Sequence, residues 1–182
     1  MPGHVVSHTQ LTDLEEIFRL FDYSVHYQEQ RGYPVWRDYD KSAIVRDIDT
    51  GNQFKVLIGK ETGIVFSVCY SDKVIWRERE RGDAIYLHRI VVNPAHKGLK
   101  LFGVILDWVI QHAQQRKLQH IRMDTWAANP NIIAYYKTFG FSFVEKFTTS
   151  NSPELPIHNR NLDLVLLEYS LKNDYSKSTL SI

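Results

Sequence analysis

The segment from about Lys100 to Arg116 constrains this chain more than any other. It has helical periodicity, with Gly103, Asp107, Gln111 and Gln114 on one narrow stripe. Leu101, Phe102, Val104, Ile105, Leu106, Trp108, Val109 and Ile110 fill the remaining arc. A helix apolar over so wide an arc belongs between a sheet and other elements, as a core helix. Pro94 stops a strand just before it, and Ala95 to Lys100 form the turn that leads in.

The sheet is legible on both sides of that helix. His4 to Ser7 reads as a short edge strand. Thr12 and Glu15 have capping-box spacing and open a helix through about Tyr23, with Leu14, Ile17, Phe18 and Phe21 inward. After the turn signals Gly32 and Pro34, Asp40 or Ser42 opens a second helix with Ile44 and Ile48 inward, ending near Gly51. Gln53 to Ile58, Gly63 to Tyr70 and Ala84 to Val92 are rich in Val, Ile, Phe and Tyr and read as an antiparallel meander. The mixed charge run Arg77 to Arg81 reads as a solvated hairpin loop without a function. Past the core helix come a strand at His120 to Thr125, a helix at Asn131 to Thr138, and strands at Phe141 to Phe147 and Leu162 to Tyr169. The order predicts a mixed α/β (α+β) fold, one domain over 1–171, with a polar tail at 172–182.

Composition narrows the function. Apolar residues make up 43% of 182, enough for a core. Twenty-two Lys and Arg against 21 Asp and Glu leave a charge of +1, so there is no general attraction to nucleic acid or to an anionic membrane, and any anion site must be local. Cys69 is alone, which excludes an internal disulfide and a thiolate zinc cluster and suits a reducing compartment. No stretch approaches the ~18 apolar residues of a membrane span. A cytoplasmic protein without a metal is expected, since the histidines other than His88 also lack metal-ligand spacing.

Two segments carry residues suited to chemistry. In the first, the turn Ala95-His96-Lys97-Gly98-Leu99-Lys100 leaves the free N–H groups of a helix N-terminus outward, with Lys97 and Lys100 beside them. Such an end binds phosphate. Neither Gly-x-Gly-x-x-Gly nor Gly-x-x-x-x-Gly-Lys-Ser/Thr is present, which argues against dinucleotide binding and nucleotide hydrolysis. In the second, Asn129 is followed by Tyr136 and then Gly140-Phe141. Taken together, the two segments resemble the acetyl-CoA-binding half of the GNAT N-acetyltransferase superfamily. The element order over about 165 residues is similar as well, most strongly between Ile85 and Phe143.

The resemblance implies a GNAT-type acyl-CoA N-acyltransferase fold, a central and mostly antiparallel sheet flanked by helices. It implies acetyl-CoA as co-substrate and transfer of its acetyl group to the primary amine of a small molecule by direct attack. The backbone of Ile90, Val91 and Val92 would pair with the pantetheine arm. The amides of Lys97, Gly98, Leu99, Lys100, Leu101, Phe102 and Gly103 would hold the pyrophosphate. Asn129 would contact the pantetheine arm, and Tyr136 would protonate the departing thiolate. The family's turn usually has Gly where this chain has Lys100, and a small residue where it has Phe102. A side chain is therefore expected to crowd the pyrophosphate or reshape the turn. That departure favours the alternative reading, a non-catalytic acyl-CoA or small-ligand binding domain of the same fold.

For the general base, His88 stands where many family members carry a Glu, and an imidazole titrates near ~6.5. Asp124 and a water-mediated route are the other candidates. Strand alternation puts Tyr86, His88 and Ile90 on one face and Leu87, Arg89 and Val91 on the other. By resemblance the acceptor lies over the segment joining the first two helices, where Tyr23, Tyr27, Tyr33, Trp36, Arg37 and Tyr39 cluster, and Trp126 joins them. Tyr27, Tyr33, Trp36 and Trp126 are the candidate acceptor contacts. An aromatic wall suits a cationic or aromatic substrate, and a second small core is the other use for such a cluster. The loop Thr148 to Asn161 is long for a hairpin and would border the acceptor or a homodimer contact.

Overall fold

The computed structural model describes residues 4–155 and 157–171. The polar tail expected at 172–182 lies outside the described residues. The strands are β1 His4–His8, β2 Gln53–Ile58, β3 Glu61–Cys69, β4 Ala84–Val92, β5 His120–Trp126, β6 Ser142–Thr148 and β7 Asp163–Ser170. They form one sheet in the order β1-β2-β3-β4-β5-β7-β6. Every pairing is antiparallel except β4 with β5. The helices are α1 Leu14–Arg31, α2 Lys41–Asp49, α3 Lys73–Trp76, α4 Phe102–Gln115 and α5 Pro130–Lys137. The mixed α/β reading holds, and none of the described helices is long and apolar enough to cross a membrane.

Alternation along the strands builds a core on each face of the sheet. Ile64, Phe66, Ile85, Ile121, Met123, Val165 and Leu167 pack with Phe102, Ile105 and Val109 of α4 and with Tyr136 of α5. On the other face Val65 and Val91 meet Ile17, Leu20 and Phe21 of α1 and Ile44 and Ile48 of α2. Farther along that face Trp76 of α3 lies over Tyr86 and Leu166. The core helix is covered as its composition requires. Trp108 packs on Phe54 with ring centroids 4.5 Å apart, and Phe102 on Tyr136 at 4.9 Å.

Four local readings are corrected. The cap before α1 is not Thr12 with Glu15: Asp13 accepts from the Gln10 N–H at 2.8 Å, and Leu11–Asp13 form a 3₁₀ turn that starts the helix earlier. Nor does α1 stop near Tyr23. It continues to Arg31, where Gly32 takes φ 67° and ends it. The charge run is only in part a solvated loop: Glu78, Arg79 and Arg81 are exposed, but Asp72 caps α3 just ahead of the run, and Arg77 and Arg79 both pair with Glu145 of β6, at 2.8 and 3.1 Å. The fourth correction concerns β4. Val65 pairs with Val91 and Ser67 with His88, so β4 carries one residue more than β3 across that step, and Arg89 takes φ 51°. The bulge breaks simple alternation. Ile90 packs with Leu87 in the α4 core instead of sharing a face with Tyr86.

Candidate active site

Strands β4 and β5 pair at only three rungs, Ala84 with His120, Ile85 with Ile121 and Tyr86 with Arg122. Beyond them β4 runs on to Val92 and β5 to Trp126 without pairing each other, so one edge of each is free. Arg122 fixes the last rung. Its side chain is 6% exposed, with Nε donating to Glu168 at 2.8 Å and Nη1 to the Arg79 carbonyl, the Tyr86 hydroxyl and Asp83 at 3.0 to 3.3 Å. Its guanidinium also lies 4.8 Å from the Trp76 ring centroid. A cavity of about 570 Å³ opens where the strands part.

One end of the cavity is the turn before α4. Leu101 and Phe102 begin the helix, and the N–H groups of Gly98, Lys100, Leu101 and Phe102 donate to no carbonyl or side chain among the described residues. Gly98 takes φ 92° and Lys100 φ 51°, the left-handed conformation that glycine accepts freely and lysine does not. The Phe102 side chain is 2% exposed and turned into the core, so it does not crowd the turn as its sequence position suggested. Lys97 reaches across the mouth, its Nζ 3.3 Å from the Tyr27 hydroxyl and 4.4 Å from that ring's centroid, which holds the phenol below its ordinary pKa.

The expected contacts divide accordingly. Ile90, Val92, Lys97, Gly98, Lys100, Leu101, Phe102, Asn129 and Tyr136 line the cavity. Val91 does not; it is buried beneath α1. Leu99 points to solvent, and Gly103 faces Phe139. Asn129 caps α5 by accepting from the Ile132 N–H at 3.2 Å, which leaves its amide NH₂ as a donor. Tyr27, Tyr33, Trp36 and Trp126 line the cavity too, Tyr27 against Lys97 of the turn and Trp36 edge-on to Trp126 at 5.6 Å. Part of the aromatic cluster is core: Phe21 packs on Trp36 and Tyr39, and the Tyr39 hydroxyl donates to Asp22 at 2.8 Å. Arg37 is outside the cavity and pairs with Glu29.

His88 and Asp124 meet on the cavity wall. The His88 Nδ1 lies 3.9 Å from Asp124 Oδ1, and its Nε2 lies 3.5 Å from Asp72 Oδ2. Burial pushes the Asp124 carboxyl up to about 7, helped by the charge of Asp72, and pushes Asp72 up to about 6. Burial and the Arg89 guanidinium push the His88 imidazole down to about 4. The imidazole is therefore neutral near pH 7, with one ring nitrogen unprotonated, and the same burial makes it a weaker base than a free imidazole. Tyr136 is the opposite case. Burial raises its phenol, with Tyr135 and Asp124 adding to the shift, so the hydroxyl keeps its proton and can only give it. Asp72 is the site residue that sequence reasoning missed. Its signal was present: an Asp three residues before Ile75, in an apolar Val74-Ile75-Trp76 run, is a helix N-cap pattern.

Known proteins share this arrangement of elements. A solved GNAT-family acetyltransferase from Listeria monocytogenes 4b F2365 superposes with a TM-score of 0.71 at 18% identity, covering 92% of this chain and 95% of that one. The structure of yncA from Salmonella typhimurium, solved with its cofactor acetyl-CoA, gives 0.65 at 15% identity, over 97% of this chain and 99% of that one. In sequence, the uncharacterized N-acetyltransferase YesJ of Bacillus subtilis (strain 168) is 24% identical over 140 residues, 72% of this chain and 78% of that one. Residues 11–141 match the family model for acetyltransferases of the GNAT family. Since that match takes in both the turn before α4 and the whole of α5, the chain belongs to the acetyltransferase (GNAT) family.

Proposed function

We propose that this chain transfers the acetyl group of acetyl-CoA to the primary amine of a small molecule by direct attack. The observation that carries the reading is that one cavity holds free helix amides, a neutral imidazole and a protonated phenol. Acyl transfer to an amine needs an anion hold, a base and an acid, and these supply all three. Acetyl-CoA supplies an acyl thioester. The amides of Gly98, Lys100, Leu101 and Phe102 would hold its pyrophosphate, and the free edge of β4 from Ile90 to Val92 its pantetheine arm, with Asn129 beside it. His88 takes a proton from the acceptor's ammonium, which makes the nitrogen nucleophilic. Tyr136 holds a proton for the leaving sulfur.

The acceptor end supports an amine without a required carboxylate. Arg89 is held by Asp47 at 2.8 Å and Arg46 by Asp40 at 3.1 Å, while the walls are Tyr33, Trp36 and Trp126. A cytoplasmic location and a homodimer remain part of the reading.

Calorimetry with acetyl-CoA, followed by thiol release over a panel of amines, tests the proposal. Binding with release on at least one small amine is the expected result. No binding of CoA at millimolar concentration overturns it. Binding without release on any amine replaces it with the non-catalytic acyl-CoA binding domain.

A further inference from the structure

Asp72 has no part in the chemistry described so far, yet it is held with care. Its Oδ1 accepts from the Ile75 N–H at 3.3 Å, and its own N–H donates to Glu80 at 2.8 Å. Those two bonds fix the carboxylate at the start of α3. The second oxygen, Oδ2, is buried and has no hydrogen-bond partner among the described residues, and it lies 3.5 Å from His88 Nε2. An orphaned buried carboxylate oxygen is costly unless something donates to it. The nearest donor is the imidazole.

The three side chains are ordered with respect to the cavity. Asp124 and His88 line it and Asp72 does not, so Asp72 lies deeper than the other two, next to Nε2, while Asp124 is next to Nδ1. Their ligand-type atoms all lie within 4.8 Å of one another. We infer that Asp72 is a positioning residue that draws the Nε2–H of His88 toward itself and so leaves the Nδ1 lone pair facing the cavity beside Asp124. The inference rests on the acetyltransferase reading for its purpose, because only a ring with Nδ1 free can take a proton from an amine in the cavity.

The proton balance is simple. The acceptor's ammonium loses one proton, an N–H bond forms at Nδ1, and the resulting imidazolium shares its Nε2–H with the Asp72 carboxylate. Other charged groups face this unit without replacing Asp72. The Arg89 guanidinium is taken by Asp47, and Glu80 accepts from Asp72 and Gly82 backbone. The Cys69 thiol is pushed up to about 12 by burial, with Asp72 adding, and stays neutral. On the cavity side only Asp124 competes for Nδ1. With its carboxyl raised toward neutrality it can donate an O–H to that nitrogen in the resting protein and give way to the acceptor. A long contact in the empty site is no obstacle, since such contacts tighten when substrate is bound.

The test is long-range ¹⁵N–¹H NMR of the His88 ring in the full chain without acetyl-CoA, in wild type and in Asp72→Ser, which keeps a capping side chain for α3. The wild-type ring is expected in the Nε2–H tautomer, and Asp72→Ser in a mixture of both tautomers with the fold retained by circular dichroism. In turnover, Asp72→Ser is expected to lower kcat about 100-fold with little change in acceptor KM, and Asp72→Asn to restore part of it. A wild-type Nδ1–H tautomer, or a tautomer that ignores Asp72→Ser, overturns the assignment. So does a stoichiometric shift of both ring nitrogens by Zn²⁺, which would make the trio a metal site. If wild type acetylates no amine, the function proposed above fails, while the ring tautomer still decides the role of Asp72.

Discussion

Replacing Tyr136 by Phe removes one oxygen from a place where little but chemistry depends on it. The ring is packed against Phe102, Tyr135 and Phe141 with centroids 4.9, 5.7 and 6.3 Å away, and Phe keeps all of those contacts. No hydrogen bond is among the influences on the hydroxyl, so its loss breaks none and stability should move by less than about 1 kcal/mol. The phenol is also not required to hold the cofactor, so acetyl-CoA affinity should stay within about threefold. Turnover is different. A positioned acid contributes at least ~10²-fold, equivalent to about 2.7 kcal/mol at the transition state, and all of it is lost with the proton donor. Thiol release at saturating acetyl-CoA and acceptor gives kcat, calorimetry gives the affinity, and urea unfolding gives the stability. An unchanged kcat under conditions where chemistry limits the rate refutes the acid role. A fall in stability of several kcal/mol would show that the residue serves the core instead.

Three further outcomes follow from other parts of the molecule. Arg122→Ala leaves Glu168, Asp83 and Tyr86 without their buried partner and should cost about 3–5 kcal/mol by urea unfolding. Lys100→Gly should be more stable than Lys100→Ala by ~1 kcal/mol, because only Gly relieves a φ of 51°; equal stabilities would mean the turn relaxes without cost. Asp124 has its folded pKa raised to about 7, so the folded state binds its proton more tightly than the unfolded chain does, and stability is lost as pH rises from about 4 through 7. Asp124→Asn should therefore stabilise the protein more at about pH 8 than at about pH 5, measured by thermal unfolding at both.

Much of this was legible in the residues. The apolar arc of the helix after Lys100 required a sheet, and the Val- and Ile-rich runs supplied its strands at nearly the observed positions. The turn ahead of that helix and the Asn129 to Tyr136 spacing both marked residues that line one cavity, because both are local features with their own backbone logic. What stayed hidden was tertiary. Nothing about Arg89 announces a bulge: arginine is an ordinary strand residue, and the left-handed φ comes with the extra β4 residue set against β3. Without the bulge, His88 and Ile90 would share a face. Asp72 was hidden for a related reason, since its capping signal is local but its meeting with His88 joins a four-residue helix to a strand it does not adjoin in sequence. The aromatic cluster proved to be both wall and core, with Tyr33 on the cavity and Phe21 beneath it.

The place of β7 between β5 and β6 bears on how the chain can be made. Asp124 sits on β5, whose far edge is paired along its whole length by 164–170. During synthesis every residue that lines the cavity emerges before that strand does, so a nascent chain holds Asp124 on an open edge, exposed to pairing with any other strand. Ending the protein after Phe141 would keep the turn, the imidazole and the phenol but leave β5 in that condition permanently. Strand β7, which brings no group to the cavity, decides whether β5 matures inside a closed sheet or waits as a template for aggregation.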